Sequence, residues 1–290
     1  METSSWRVVK VYGEGPSPRA SCTMCPGVHD GTFIVYGGQT ESDVRDAYEF
    51  NVHDRRWRKL HLENAPPHLG SIYGHTTCLH KESLIFFGGT SGNSFWNDIC
   101  SLNLFTMKYE AISTTGDAPS PRYKHQSQIV GNMMYVIGGG TFTTCSKEID
   151  VFCLDLSTYT WMKISALGDL PPSRVAHSTA YDEHSRSIFL WGGNDGSKNR
   201  FQDFYTFNID TCTWKEISQD SAHLPPPRAF HTSCFYEGSF YIFGGSNNNA
   251  FLSDAWYFPT RVTPPRLTTI LANMIVDQAS KDQNYLIHNF

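Results

Sequence analysis

Phe33-Ile34-Val35-Tyr36-Gly37-Gly38 is the stretch that decides the fold, because it returns four more times. Leu84-Ile85-Phe86-Phe87-Gly88-Gly89, Met134-Tyr135-Val136-Ile137-Gly138-Gly139, Ile188-Phe189-Leu190-Trp191-Gly192-Gly193 and Phe240-Tyr241-Ile242-Phe243-Gly244-Gly245 are its copies. A strand-like unit recurring about every 50 residues is the signature of a repeat architecture.

Other residues keep the same period. An Asp follows each glycine pair (Asp46, Asp98, Asp150, Asp203 and Asp254), and eleven residues after the first four stand Trp57, Tyr109, Trp161 and Trp214. A turn rich in Pro and Gly comes next, as in GDAPSPR and GDLPPSR. It leads to a strand opening on His75, His125, His177 or His231, with Cys22 at that place in the first unit. The spacing predicts four short antiparallel strands per unit, the second apolar throughout because both of its faces are buried. Such sheets bury both faces by stacking around an axis, as the blades of a β-propeller. The doubled glycine fits where backbones crowd toward that axis.

Hydrophobic run, Gly-Gly, spaced aromatic and Trp resemble the kelch repeat, over about residues 1–260. The expected fold is all-β, a kelch β-propeller of five four-stranded blades. The last unit has Pro265 where its fourth-strand aromatic should be. Trp6 lies 13 residues before Arg19, the same gap as Tyr109 to Arg122, so the N-terminal strand is expected to complete the final blade and close the ring. An incomplete six-bladed ring is the alternative, since six blades are common in this family.

The chain has 290 residues, 40% of them hydrophobic, and a net charge of −5. That balance gives no reason to expect nucleic acid or an anionic membrane as partner. Without a signal-peptide pattern or a long apolar run, the expected location is cytoplasmic or nuclear. Eight scattered cysteines behave as small hydrophobes, and Cys22-Thr-Met-Cys25 lacks a second pair for zinc. No nucleophile elbow, zinc-protease motif or phosphate loop occurs, so no enzyme, cofactor or metal is expected. The four histidines read as repeat structure. Glu216, Asp220 and His223 come near the iron-binding spacing of some plant kelch proteins but fall one residue short, on a turn.

Binding is expected at the mouth of the central channel. The inter-blade turns carry Arg19, Arg122, Arg174 and Arg228, which could converge on a carboxylate or else pair locally with acidic neighbours. Beside them stand Tyr73, Tyr123 and Phe230, and Trp96 follows a glycine pair, either in the mouth or packed between blades. Aromatic and Arg enrichment marks a protein-binding surface.

Residues 261–290 form a separate tail. Leu267, Leu271 and Ile275 lie on one face of a predicted short amphipathic helix. Arg122-Tyr123-Lys124-His125, Val136 to Thr141, Ile72-Tyr73-Gly74 and Phe87 to Thr90 resemble kelch-domain substrate receptors of cullin–elongin ubiquitin ligases. Such receptors read protein C-termini, and that resemblance implies elongin B–C and a cullin as partners, with the tail helix as a loose elongin-binding box. A kelch scaffold in trafficking, signalling or the cytoskeleton is the alternative.

Overall fold

The structure, a computed structural model, describes residues 9–40, 46–62, 66, 69, 72–92, 94–141, 148–219 and 223–260. It is all-β in these residues, a five-bladed propeller. Blade one holds β1 (Thr23–Pro26), β2 (Thr32–Tyr36), β3 (Ala47–Asn51) and β4 (Arg56–Leu60). Blade two holds β5 (Thr76–His80), β6 (Ser83–Phe87), β7 (Ile99–Asn103) and β8 (Lys108–Ile112). The two-residue β9 (Thr115–Gly116) precedes blade three, made of β10 (Gln126–Val130), β11 (Met133–Ile137), β12 (Val151–Asp155) and β13 (Thr160–Lys163). After β14 (Leu167–Gly168) come blade four, β15 (Ser178–Asp182), β16 (Ser187–Trp191), β17 (Phe204–Asn208) and β18 (Thr213–Glu216), and blade five, β19 (Thr232–Tyr236), β20 (Ser239–Phe243) and β21 (Ala255–Pro259). Within each blade the main strands pair in sequence order and antiparallel.

Alternation along the second strands builds the core, because successive side chains of a strand point to opposite faces. Leu84 and Phe86 of β6 pack with blade one, whereas Ile85 and Phe87 pack with blade three. Met134 and Val136 of β11 face blade two, and Tyr135 and Ile137 face blade four. Phe240 and Ile242 of β20 face blade four. A strand clamped in this way must be apolar at every position, which is why these runs are unbroken.

The glycine pairs are required by the same junctions. A Cβ on Gly88 would come within 2.7 Å of the Arg122 carbonyl of the next blade, and one on Gly138 within 2.9 Å of the Arg174 carbonyl. Both glycines have φ of 61–63°. In four of the five pairs the second glycine donates its N–H to the carbonyl at that place in the next turn: Gly38 to Ile72, Gly89 to Arg122, Gly139 to Arg174 and Gly193 to Arg228.

Two features depart from a simple four-strand repeat. β9 and β14 each leave one blade and add a parallel pairing to the outer strand of the next, opposite Trp161 and Trp214. Tyr12 makes the equivalent parallel bridge to Arg56 in blade one. Blade five has three strands among the described residues. The expected closing strand around Trp6 and the expected tail helix lie outside them. A Cβ on Gly244 would have only Leu252 O within 4 Å, at 3.4 Å, so the junction seen at the other four glycine pairs is not made from blade five to blade one by the described residues.

Candidate binding face at the channel mouth

Each inter-blade turn reads Arg or Ile, one residue, a residue of positive φ, then His or Cys. The third position is Ser21, Gly74, Lys124, Ala176 and Phe230, with φ of 54°, 63°, 54°, 54° and 61°. Four of the five are not glycine, and a side chain in this region costs about 1–2 kcal/mol. A backbone ladder holds them there. Gly74 N donates to Ser21 O, Lys124 N to Gly74 O, Ala176 N to Lys124 O and Phe230 N to Ala176 O, all at 2.8–3.1 Å. This ladder links the five turns through four bonds, and its residues line a cavity of about 680 Å³.

The second position pairs with the residue after each glycine pair: Tyr73 with Thr90, Tyr123 with Gly140, Val175 with Asn194 and Ala229 with Ser246. Those residues pair in turn with the loop beyond, Thr90 with Phe95, Asn194 with Arg200 and Ser246 with Phe251. Phe95, Arg200 and Phe251 thereby become equivalent posts around the mouth. Phe95 meets Tyr123 edge-on at 5.2 Å. Lys124 Nζ lies 4.5 Å from the Tyr123 ring and 4.8 Å from the Phe230 ring, while the Arg200 guanidinium lies 5.4 Å from Phe230. Neither Lys124 nor Arg200 has an ion pair with a described residue. Phe230 is 48% exposed and Phe251 94%. The mouth is thus aromatic and cationic.

The four arginines of the turns are placed elsewhere, each in a local pair. Arg122 Nη1 and Nη2 donate to Asp150 at 2.8 and 3.0 Å, Nη1 also to Gly138 O and Nε to Ser120 O. Arg174 makes the same set with Asp203, Gly192 and Pro172, and Arg228 with Asp254, Gly244 and Pro226. Arg19 pairs with Asp46 and Gly37 O. Arg122, Arg174 and Arg228 are 0–1% exposed. Of the two readings open in the sequence, local pairing is the one these contacts favour: the guanidiniums brace each turn against its own blade and do not converge. Ile72 replaces Arg in blade two, and no ion pair to Asp98 is made by the described residues.

Tyr73 and Tyr123 are half-buried at the mouth. Phe230 belongs one register further along than they do, at the place of Gly74 and Lys124. Trp96 packs against the core cluster of blades one and two. Lys124, Arg200 and Phe251 escaped the sequence reading. Lys124 stood inside the quoted Arg-Tyr-Lys-His stretch, and its equivalence to Phe230 was the available signal.

The four histidines are buried wedges. His75 Nε2 lies 3.1 Å from Thr23 Oγ1 and His125 Nε2 lies 2.9 Å from Thr76 Oγ1, each reaching into the preceding blade. Burial holds His75 and His231 down to about 3 and pushes His125 and His177 well below the usual range. Burial also raises the Cys25 thiol to about 12, so it is a poor thiolate donor. Among the described residues no group of three metal-ligating side chains gathers, and no helix is long and apolar enough to cross a membrane.

The KLHDC2/KLHL20/DRC7 Kelch-repeats domain model matches residues 1–166 and 124–269. Kelch domain-containing protein 10 of Xenopus laevis is 30% identical over 258 residues, covering 85% of this chain and 60% of that protein. Kelch domain-containing protein 2 of Bos taurus is 29% identical, covering 86% and 66%, and Kelch domain-containing protein 3 of Rattus norvegicus 28%, covering 75% and 59%. The chain therefore spans about 60% of the length of such relatives. Five glycine pairs in register, four of them at blade junctions, and a family model matched along nearly the whole propeller give one conclusion: the chain belongs to the kelch-repeat family.

Proposed function

We propose that this propeller is a protein-recognition module that takes an extended peptide end at its mouth, as the substrate-binding subunit of a cullin–elongin ubiquitin ligase. One observation carries the reading. Lys124 and Phe230 line a cavity large enough for several residues of chain, Arg200 lies against the same exposed Phe230 ring, and neither cation has an ion pair to any described residue. A terminal carboxylate answers the two cations, and apolar side chains answer Phe230 and Phe251. Tyr73 and Tyr123 stand beside Gly74 and Lys124, which line that cavity. Arg19, Arg122, Arg174 and Arg228 support it from behind by fixing the turns. The ligase connection rests on family resemblance and on Leu267, Leu271 and Ile275, which lie outside the described residues.

The test compares peptides pulled from a random C-terminal library by the full chain, each then offered with a free or an amidated terminus. Binding that collapses on amidation supports C-terminal reading. Equal binding of both forms assigns the face to a folded partner and favours a scaffold role. Co-purification of elongin B–C that disappears in Leu267→Asp tests the ligase link separately.

A further inference from the structure

Arg200 is a cation that the fold positions and leaves without a counter-ion among the described residues. Its backbone bridges to Asn194, which bridges in turn to Val175 of the inter-blade turn. Its Nε donates to Asn248 Oδ1 of the blade-five loop at 3.3 Å, and Asn248 Nδ2 donates back to Lys198 O at 2.6 Å. This two-way latch across blades four and five holds the guanidinium 5.4 Å from the Phe230 centroid through a neutral amide. The Nη1 and Nη2 groups donate to no described residue. Asp195, in the same loop, is engaged in its own turn, where it accepts from Ser197 N and Oγ at 2.9 and 2.6 Å. Partial burial meanwhile holds the Arg200 guanidinium below its usual pKa, as expected of a charge that has lost water without gaining a partner. The second cation on Phe230, Lys124, is the one charged side chain among the described residues that line the cavity, and no Asp or Glu is among them. The four histidines that also line it stay neutral at pH 7 because they are buried.

A terminal carboxylate brings one negative charge to these two positive ones. We infer that Arg200 takes a second carboxylate, that of an Asp or Glu side chain near the peptide's end, and makes the mouth selective for acidic C-terminal sequences. The inference rests on the peptide-end reading of the mouth. Lys124 belongs to the cavity lining and Arg200 does not, so the terminus goes to Lys124 and the acidic side chain to Arg200. The free Nη pair offers that side chain a bidentate fork, which a lysine cannot. Both cations lie near one ring centroid, at 4.8 and 5.4 Å, and so stand at most about 10 Å apart. Extended chain covers about 3.3 Å per residue, which places the acidic residue within about the last four positions of the peptide. Asn248 is the positioning residue, because it fixes Nε and leaves the fork open.

The experiment displays peptides with a free C-terminus and a randomised end, and selects them on the full chain, on Arg200→Gln and on Arg200→Glu. Asp or Glu is expected to be enriched at one of the last positions on wild type and not on Arg200→Gln. On Arg200→Glu the same position is expected to turn to Lys or Arg, a reversal that a misfolded variant cannot produce. In synthetic peptides, Gln for Glu at that position should weaken binding to wild type about tenfold and leave binding to Arg200→Gln nearly unchanged. A wild-type selection without acidic enrichment, or an enrichment indifferent to Arg200, overturns the inference. Amidating the selected peptides tests the peptide-end reading separately. Binding that survives amidation but follows the charge at position 200 removes the terminal carboxylate and keeps the acidic side chain. Failure to select any peptide overturns both.

Discussion

Arg174 and Asp203 meet through two parallel hydrogen bonds of 2.6 and 2.8 Å, with the guanidinium fully buried and its Nε held by Pro172 O. A buried cation with every edge engaged acts as a brace, and breaking it leaves a charge without its counter-ion. Arg174→Ala is therefore expected to lower unfolding free energy by about 3 kcal/mol in chemical denaturation. Peptide affinity per folded molecule should change little. A large affinity loss at unchanged stability would instead place Arg174 in contact with ligand.

Stability should fall as pH drops from 7 toward 5. In the folded protein His75 and His231 titrate at about 3 and His125 and His177 also well below 6.5, because burial disfavours the imidazolium. Unfolded histidines take up protons below about pH 6.5, where the folded ones stay neutral. The unfolded state thus binds more protons, and each histidine removes up to about 1.4 kcal/mol per pH unit below that value. The loss continues to about pH 3, where His75 and His231 protonate in the fold. Urea melts of wild type and His231→Gln at pH 7, 6 and 5 measure this, and the variant should show the shallower dependence.

Much of the fold was legible because its signals are local and repeated. Gly-Gly, the following Asp and the buried Trp each report on one blade, and five copies fix the period. The partner of each Arg was not legible in the same way, although both Arg and Asp were in view. Arg122 and Asp150 are 28 residues apart, and only the blade brings them together. Tyr73, Tyr123 and Phe230 were in view at the mouth, but three of its residues were missed for another reason. Lys124 shares its place with Ser21, Gly74, Ala176 and Phe230, and Arg200 and Phe251 share theirs with Phe95, in neither case with a common residue type, so no repeat marks them. β9 and β14 are too short to carry a periodic pattern at all.

Two glycines with the same φ separate conformational strain from crowding. Gly131 and Gly138 both have φ of 61°, yet a Cβ on Gly131 meets nothing within 4 Å, while one on Gly138 approaches Arg174 O and His177 Cε1 at 2.9 Å. Gly131→Ala should cost about 1–2 kcal/mol, the left-handed penalty alone. Gly138→Ala must also push blade four away from blade three and should cost about 3 kcal/mol or more. Similar losses for the two variants would mean that the junction yields easily.

The cations of the mouth can be separated from its braces by charge reversal. Lys124 sits between the Tyr123 and Phe230 rings, held through its backbone N–H to Gly74 O, and its ammonium group makes no ion pair with a described residue. Lys124→Glu leaves that backbone bond in place and should change Tm by little. Against a peptide with a free C-terminus it should weaken binding about tenfold or more, since an attraction becomes a repulsion in a partly desolvated cavity. Against the same peptide amidated the effect should be much smaller. Calorimetric titration of both peptides with wild type and Lys124→Glu forms a double-mutant cycle, whose coupling term isolates the carboxylate–lysine contact. A coupling near zero would show that the aromatic rings, not the charge, hold the ligand at this mouth.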